Sequence, residues 1–442
     1  MSIELGLDDP LIELAERIRI KEARVAVVGL GYVGLPLLVA AAEAGFHTLG
    51  YDVDRKRISA LRSGRSHIED VSDAEVAGLV DAKTLFSGDE AVLAEADVIL
   101  VCVPTPLTEH VPDLSMVRAA MECVGRSLRP GRMAILESTT YPGTTEEVIR
   151  PILERASGLE AGIDFALGYS PERIDPGRSG RHLQTTPKVV SGLTERCREL
   201  ATSFYSHLVR DVVTTSTPRE AEAAKMIENT FRQVNIALVN ELAILAHEIG
   251  VDIWEALEAA ATKPFGYMPF WPGPGVGGHC ISVDPAFLSW RVGQKLGYRV
   301  NFIELANEVN NRMPAYVVSR IGEALNDAGK PIRGSRILGV GVAYKPGVGD
   351  VRESPAIEVM QILGVKGAEL QYHDPLVPEL EIGGRKLKSV ALEDGPAART
   401  DCVVILTPHP GLDVHRLIRE FPLVFDARGI TTGIQALNLV RL

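Results

Sequence analysis

Short apolar runs rich in β-branched residues alternate with longer helical stretches through the first half of this chain. The run "RVAVVG", residues 24–29, ends in glycine and reads as a buried parallel strand. An alanine-rich helical stretch, "LPLLVAAAEAG", follows, and then a second strand in "HTLGYDVD". Further strands are predicted in "DVILVCVP" (97–104) and "RMAILEST" (132–139). Strands alternating with helices imply βαβ units and a doubly wound sheet. From about residue 217 the pattern changes. The stretch "TPREAEAAKMIENTFRQVNIALVNELAILAHEIG" has apolar residues at helical spacing, opened by Thr217 and Pro218 and closed by Gly250. Helical sequence continues to about residue 329. Strands return in "SRILGVGVAYK" (335–345), "ELQYHD" (369–374), "DCVVILTP" (401–408) and "LVFDAR" (423–428). The expected fold class is α/β: two doubly wound domains joined by a central all-helical region, divided as 1–215, 216–329 and 330–442. An apolar stripe as long as that of the central helix needs a partner, so a homodimer paired through it is expected.

Composition narrows the function classes. The 442 residues are 46% hydrophobic and 24% charged, with a net charge of -12. An acidic balance argues against nucleic acid as the main partner. It leaves room for a small anionic ligand held by a local cluster of donors. No apolar run reaches membrane-spanning length, so no membrane partner is expected. The first twenty residues lack the basic-then-apolar order of a signal peptide. The five cysteines are scattered, with no C-x-x-C pair. Together these features point to a reducing cytoplasm and against a disulfide framework or a metal site.

The first chemical motif is "GLGYVG", with Gly29, Gly31 and Gly34 around Tyr32 and Val33. It follows a strand and opens a helix, and Asp52 stands at the end of the next strand. That context completes the dinucleotide fingerprint of a Rossmann-like domain. Gly29 allows the tight turn, Gly31 lets a pyrophosphate approach, and Gly34 allows close helix packing. The helix N-terminus provides donors for phosphates. Asp52 is expected to accept from the adenosine ribose and to repel a 2′-phosphate, so NAD is favoured over NADP.

Other motifs are less specific. Glu222, Lys225 and Asn229 share one face of the long helix. The strand-end segments "ESTTYPGTT" (137–145) and "YSPERIDPG" (169–177) place hydroxyls and Glu172 where ligands collect in open α/β sheets. In "GPGVGGHCISVDP" (273–285) four glycines and a histidine precede Cys280. Glycine there implies a backbone that must approach something closely. Phe265, Tyr267, Phe270 and Trp271 either stack on a base or sugar or fill a domain interface. His373 and Asp374 read better as a strand-end turn than as a metal pair.

Taken together, the motifs resemble one family, the UDP-glucose/GDP-mannose dehydrogenases or nucleotide-sugar 6-dehydrogenases. The segments that carry the resemblance are "VVGLGYVGLPL", "GYDVD", "SHIEDVS", "VPTPL", "ESTTYPGTT", "SPERIDPG", "EAAKMIENTFRQVNIALVNELA", "PGPGVGGHCISVDP" and "KPGVGDVRESPA", in that order over nearly the whole chain. The resemblance implies oxidation of the C6 hydroxyl of a nucleoside-diphosphate hexose to a carboxylate, with two NAD consumed. It implies that Cys280 attacks the intermediate aldehyde and carries a thiohemiacetal and then a thioester. By position, Lys225 stabilises the developing alkoxide and Asn229 is its oxyanion partner. Asp284 works with Thr139 through a water as acid and base, and Glu172 helps hydrolyse the thioester. Thr105, Thr139 and Arg352 lie against NAD. Phe265, Gly277 and Lys345 join Glu172, Lys225 and Asn229 in binding substrate, the glycines folding around the sugar. Glu222 is assigned to the helix surface or to a supporting shell.

Two departures from the UDP-glucose members bear on the substrate. Pro176 stands where those members carry a second glutamate, and "KPFGYMPFWPGPG" lacks their arginine before the cysteine. Both variants look like the bacterial UDP-N-acetylhexosamine members, with UDP-glucose and dTDP-glucose as alternatives. Two other classes fit the fingerprint: a two-electron dehydrogenase of the hydroxyacid or 6-phosphogluconate type, and a non-catalytic nucleotide-sugar sensor.

Overall fold

The computed structural model describes residues 10–108, 111–173, 182–392 and 399–442, with the backbone alone for His182, Leu183, His279 and Cys280. The chain forms two compact units, Met1–Glu228 with Ala286–Lys295, and Asn229–Pro285 with Leu296–Leu442.

The first unit is built on an eight-stranded sheet. Its order is Val212–Thr214, Lys188–Gly192, Ala166–Tyr169, Met133–Leu136, Val98–Val101, Arg24–Val28, His47–Tyr51 and Leu85–Ser87. All neighbours are parallel except Ala166–Tyr169 against Lys188–Gly192. The central strands are apolar and buried from end to end, as helices covering both faces require. The pleat then sorts their side chains. Val25, Val27, Leu100 and Ile135 join one core, and Ala26, Val28, Ile99 and Val101 the other. Arg24–Val28 lies between Val98–Val101 and His47–Tyr51, so strand order reverses just beyond Val28. Ligands collect at such a reversal in open α/β sheets.

The second unit holds an all-parallel sheet in the order Glu369–His373, Arg336–Val340, Cys402–Ile405, Val424–Asp426 and Leu439–Arg441. Helices Ile253–Ala261 and Asn301–Asp327 accompany it, together with an antiparallel hairpin of Glu379–Ile382 and Arg385–Lys388. The α/β class is as expected. Leu85–Ser87, Lys188–Gly192, Val212–Thr214 and Leu439–Arg441 are strands that the apolar pattern did not mark, each only three to five residues long.

One device recurs in both sheets. Asp97 precedes the strand Val98–Val101 and accepts the Arg24 amide at 2.8 Å, with Arg17 and Arg132 against it. Asp401 precedes Cys402–Ile405 and accepts the Arg336 amide at 2.8 Å, with Lys330 at 2.6 Å. Each carboxylate ties down the N-terminal end of the first strand of its sheet.

The long helix is Pro218–Glu248, as its pattern required. Thr217 Oγ1 accepts the Arg219 amide, and Gly250 turns the chain away with φ of 74°. Ile227, Phe231, Leu238, Leu242 and Leu245 are exposed along it at spacings of three, four and seven residues, and Ile249 is exposed just past its end. Among the described residues no helix is long and apolar enough to cross a membrane.

The Arg336 guanidinium, together with the Arg336 amide and Lys330, holds the Asp401 carboxyl well below the usual carboxylate range against the effect of burial. A depressed carboxylate contributes stability above its unfolded value near 3.8, and that contribution is lost as pH falls. Asp401→Asn is therefore expected to lower the thermal midpoint at neutral pH by about 2–4 °C. Differential scanning at pH 7 and pH 3 should show the gap closing in acid.

Candidate active-site elements

The glycine turn begins where Arg24–Val28 ends. Gly29 has φ of 87°, and a side chain there would meet the Cys102 carbonyl at 2.9 Å. A side chain on Gly34 would lie 1.9 Å from the Gly29 carbonyl, so the helix Gly34–Glu43 packs onto the turn only because it starts with glycine. Gly31 differs, because nothing lies within 4 Å of where its side chain would be. Packing among the described residues does not explain that glycine. Tyr32 is exposed and Val33 half-buried beside it, and Thr105 is buried after the strand Val98–Val101. Asp52 is buried and accepts the Leu30 amide at 2.8 Å, the Asp54 amide at 2.9 Å and Arg57 Nη1 at 2.7 Å. The carboxylate thus braces the turn from inside. Arg57 is a partner that the sequence reading did not identify.

The loop after Met133–Leu136 carries a second group. Lys225 Nζ donates to Thr139 Oγ1 at 2.6 Å, joining the long helix to the strand end. One helical turn earlier, Glu222 is fully buried. Its carboxylate accepts the Gly143 amide at 2.5 Å, the Thr145 amide at 2.8 Å and Thr145 Oγ1 at 2.7 Å. Glu222 is therefore not a surface residue. It clamps the loop whose other end presents Thr139. Burial pushes the Glu222 carboxyl up to about 7, opposed by those three donors. On its far side the loop meets the helix His279–Leu296: Tyr141 packs on Trp290 at 5.1 Å, and Arg291 lies over Tyr141 and pairs with Glu147.

Glu172 lies just past Ala166–Tyr169 and is 8% exposed. Its Oε1 accepts the Arg173 amide at 2.6 Å, and its Oε2 is 3.5 Å from Lys188 Nζ. Lys188 is 3% exposed and donates to Glu137 Oε2 at 2.6 Å. The Tyr205 hydroxyl donates to the other oxygen of Glu137. Breaking a buried pair of this kind costs on the order of 3–5 kcal/mol.

In the second unit, Asn229 Nδ2 donates to Asp284 Oδ2 at 2.6 Å, and both residues are buried. Asn229 stands one turn after Lys225 on the long helix. His279 and Cys280 open the helix His279–Leu296, and the Cys280 side chain lies outside the described residues. The glycines before it lie close against other segments of the same unit. A side chain on Gly277 would stand 2.6 Å from the Glu353 carbonyl, and one on Gly278 2.6 Å from the Tyr344 ring. The glycine loop therefore approaches the segment bearing Lys345 and Arg352. Lys345 lies over the Tyr344 ring at 5.4 Å. Arg352 binds Asp350 through two nitrogens, at 3.0 and 2.7 Å. Phe265 is 72% exposed, whereas Phe270 packs on Phe231 and Trp271 on Trp254. Asp374 accepts the amides of Val342, Ala343, Leu376 and Val377, the filled carboxylate of a strand-end turn. Cys102, Cys123, Cys197 and Cys402 are buried free thiols.

Comparison with known proteins places these elements in a wider setting. Three consecutive domains of the UDP-glucose/GDP-mannose dehydrogenase family match: the NAD binding domain over residues 23–209, the central domain over 219–312 and the UDP binding domain over 338–433. UDP-N-acetyl-D-mannosamine dehydrogenase of Pyrococcus horikoshii is 35% identical over 430 residues, covering 93% of this chain and 99% of that protein. UDP-N-acetyl-D-glucosamine 6-dehydrogenase of Pseudomonas aeruginosa is 41% identical over 364 residues, covering 81% and 84%. The solved structure of the Pyrococcus horikoshii UDP-D-ManNAc dehydrogenase superposes with a TM-score of 0.86 at 34% identity, covering 95% and 98% of the two chains.

Glu222 has a readable consequence. A carboxyl whose folded value is raised to about 7 from 4.5 contributes stability that is full below 4.5 and is lost as pH rises through 7. The thermal midpoint is expected to fall across that window more steeply in the native protein than in Glu222→Gln. Parallel pH curves for the two, by scanning fluorimetry, would show that Glu222 does not titrate there.

Proposed function

Because this chain belongs to the UDP-glucose/GDP-mannose dehydrogenase family, we propose that it oxidises the C6 hydroxyl of a UDP-linked N-acetylhexosamine to the uronate. The observation that carries this reading is the Lys225–Thr139 hydrogen bond at 2.6 Å, with Asn229 holding Asp284 one helical turn further on. A lysine and a hydroxyl in the first unit, and an amide and a carboxylate in the second, are the groups that proton transfer and a developing oxyanion require.

The open face of Gly31, the helix N-terminus at Gly34 and the Asp52 carboxylate fit a dinucleotide's diphosphate and ribose. NAD held by Gly31, the start of the Gly34–Glu43 helix and Asp52 would supply the hydride acceptor for each of the two oxidations. Thr139, in concert with Asp284 and a water, takes the C6 hydroxyl proton, and Lys225 and Asn229 stabilise the oxygen as charge develops on it. The Cys280 sulfur then bonds to the aldehyde carbon, giving a thiohemiacetal that is again an alcohol and stays bound. Its oxidation leaves a thioester. Glu172 activates water to break the carbon–sulfur bond, releasing carboxylate and restoring the thiol. A working thiol requires a reducing compartment, in keeping with the cytoplasm. Thr105 and Arg352 are assigned to NAD, and Phe265, Gly277 and Lys345 to the substrate.

The sugar assignment rests on Pro176 and the arginine-free segment before Cys280, and on the N-acetylhexosamine substrates in the names of both relatives. UDP-glucose is the second reading. We further propose three working parts with boundaries near residues 215 and 329, and a homodimer formed by the exposed stripe of the long helix. Each apolar side chain buried in that pairing would add about 1.5–3 kcal/mol.

Two experiments test this. Against a panel of UDP-sugars the native protein is expected to yield two NADH per sugar. Cys280→Ser should bind both ligands, release no uronate and form no sugar adduct detectable by mass spectrometry. Full uronate production by Cys280→Ser would refute the covalent route. For the dimer, Leu242→Glu combined with Leu245→Glu should give monomers by light scattering. A native protein that is monomeric at micromolar concentration would dispose of the pairing.

A further inference from the structure

The segment "SHIEDVS", residues 66–72, is one of the family motifs, yet none of its residues has a part in the chemistry above. It lies between the helices Arg55–Arg62 and Asp73–Asp81 and is pinned along its length. The Ser66 amide donates to Asp73 at 2.7 Å, and Ser66 Oγ donates to the Ile68 carbonyl at 2.9 Å. Ile68 and Val71 are buried in the same core as Val25, Val27 and Leu30. Ser72 and Glu75 close a capping box on the second helix. The fold therefore fixes the backbone on both sides of His67. Its Nε2 lies 2.8 Å from the Leu30 carbonyl. A carbonyl oxygen only accepts, so Nε2 carries a proton and donates it. The neutral ring protonated at Nε2 and the imidazolium both make this bond, so it does not depend on titration.

Leu30 is the second residue of the glycine turn, and it is held on three sides. Its side chain is fully buried, its amide donates to Asp52 Oδ2 at 2.8 Å, and its carbonyl accepts from His67. The Leu30 carbonyl and the Gly31 N–H are the two ends of one planar peptide. In a trans peptide they point in opposite directions, and no described peptide bond is cis. Fixing the carbonyl therefore fixes the Gly31 N–H, which has no acceptor among the described residues. A hydrogen bond to the carbonyl also polarises the peptide and strengthens the opposite N–H as a donor. Gly31 stands three residues before the start of the helix Gly34–Glu43, where phosphate groups are favoured.

We propose that His67 is a positioning residue for the cofactor: by holding the Leu30–Gly31 peptide it aims the Gly31 N–H at the diphosphate of NAD. The proposal rests on the assignment of NAD to the glycine turn made above. In this role His67 acts through the turn, so its loss is felt by the diphosphate and not by the adenosine end.

The test measures three affinities by isothermal titration calorimetry: NAD, ADP-ribose, which keeps the diphosphate and lacks nicotinamide, and adenosine, which lacks both. His67→Ala is expected to weaken NAD and ADP-ribose alike, by about two- to tenfold for one hydrogen bond, and to leave adenosine unchanged. The KM for NAD should rise by the same factor, with kcat and the sugar KM retained. His67→Gln, whose amide reaches the same carbonyl, should restore most of the affinity, and His67→Leu, which keeps bulk without a donor, should not. A histidine that serves the fold alone would leave the three affinities unchanged or weaken all three together, and either result overturns the proposal. Should His67→Ala fail to fold by circular dichroism, the other pair decides: equal ADP-ribose affinity in His67→Gln and His67→Leu overturns it. Gly31→Val is the separate control. If that variant binds NAD with native affinity, the assignment of NAD to the turn itself fails, whatever His67 does.

Discussion

The contact between the Lys225 ammonium and the Thr139 hydroxyl is the constraint that joins the long helix to the sheet edge of the first unit. Neither residue is placed by its own segment. Thr139 follows a strand whose four residues are all buried, so its height is set by the register of Met133–Leu136 against its neighbours. Lys225 sits on a helix that begins after the last strand of the same sheet. Glu222, a turn before Lys225, holds three donors at the far end of the Thr139 loop. The helix therefore grips the loop at both ends, and a flexible serine- and threonine-rich segment acquires a fixed geometry. Desolvating a carboxylate is costly unless its hydrogen bonds are made. Three short bonds to one loop meet that requirement and locate the loop at the same time.

The two sheets use the same means of anchoring and diverge where chemistry begins. Asp97 and Asp401 each tie down the start of a first strand, and Asp52 and Asp374 each stand at the end of a second strand. Their surroundings differ. Asp52 receives two amides and Arg57, which is partly exposed. Asp374 receives four amides and His409, and its side chain is fully buried. A carboxylate filled by its own turn has no capacity left for a ribose. The second unit keeps the architecture of a dinucleotide fold while using this position for structure alone.

The glycines divide by cause. Gly29 and Gly34 meet the backbone around them, Gly31 has nothing within 4 Å of where a side chain would stand, and Gly277 and Gly278 lie against the segment carrying Tyr344 and Glu353. The last pair couples the loop before Cys280 to the segment with Lys345 and Arg352, within one unit. Spacing reveals that a close approach is needed there and says nothing about what approaches; the family resemblance implies a sugar at Gly277, and the structure adds the Glu353 carbonyl and the Tyr344 ring.

By itself the sequence determined the strand–helix alternation, the central buried strands, the span of the long helix, the dinucleotide turn and the family resemblance. Each of these is written in local periodicity or in a contiguous motif. Tertiary structure decided the rest. The short strands, Lys188–Gly192 among them, pair because neighbouring strands are in place, and three to five residues carry too little periodicity to announce themselves. Glu222 on a helix pattern looks like any solvated glutamate, and its burial depends on a loop 79 residues away. Lys188 and Glu137 are 51 residues apart and meet because Lys188–Gly192 runs antiparallel to Ala166–Tyr169, which brings its start to the edge where Met133–Leu136 ends. Charge partners across a sheet follow from strand order and register, which no single segment encodes.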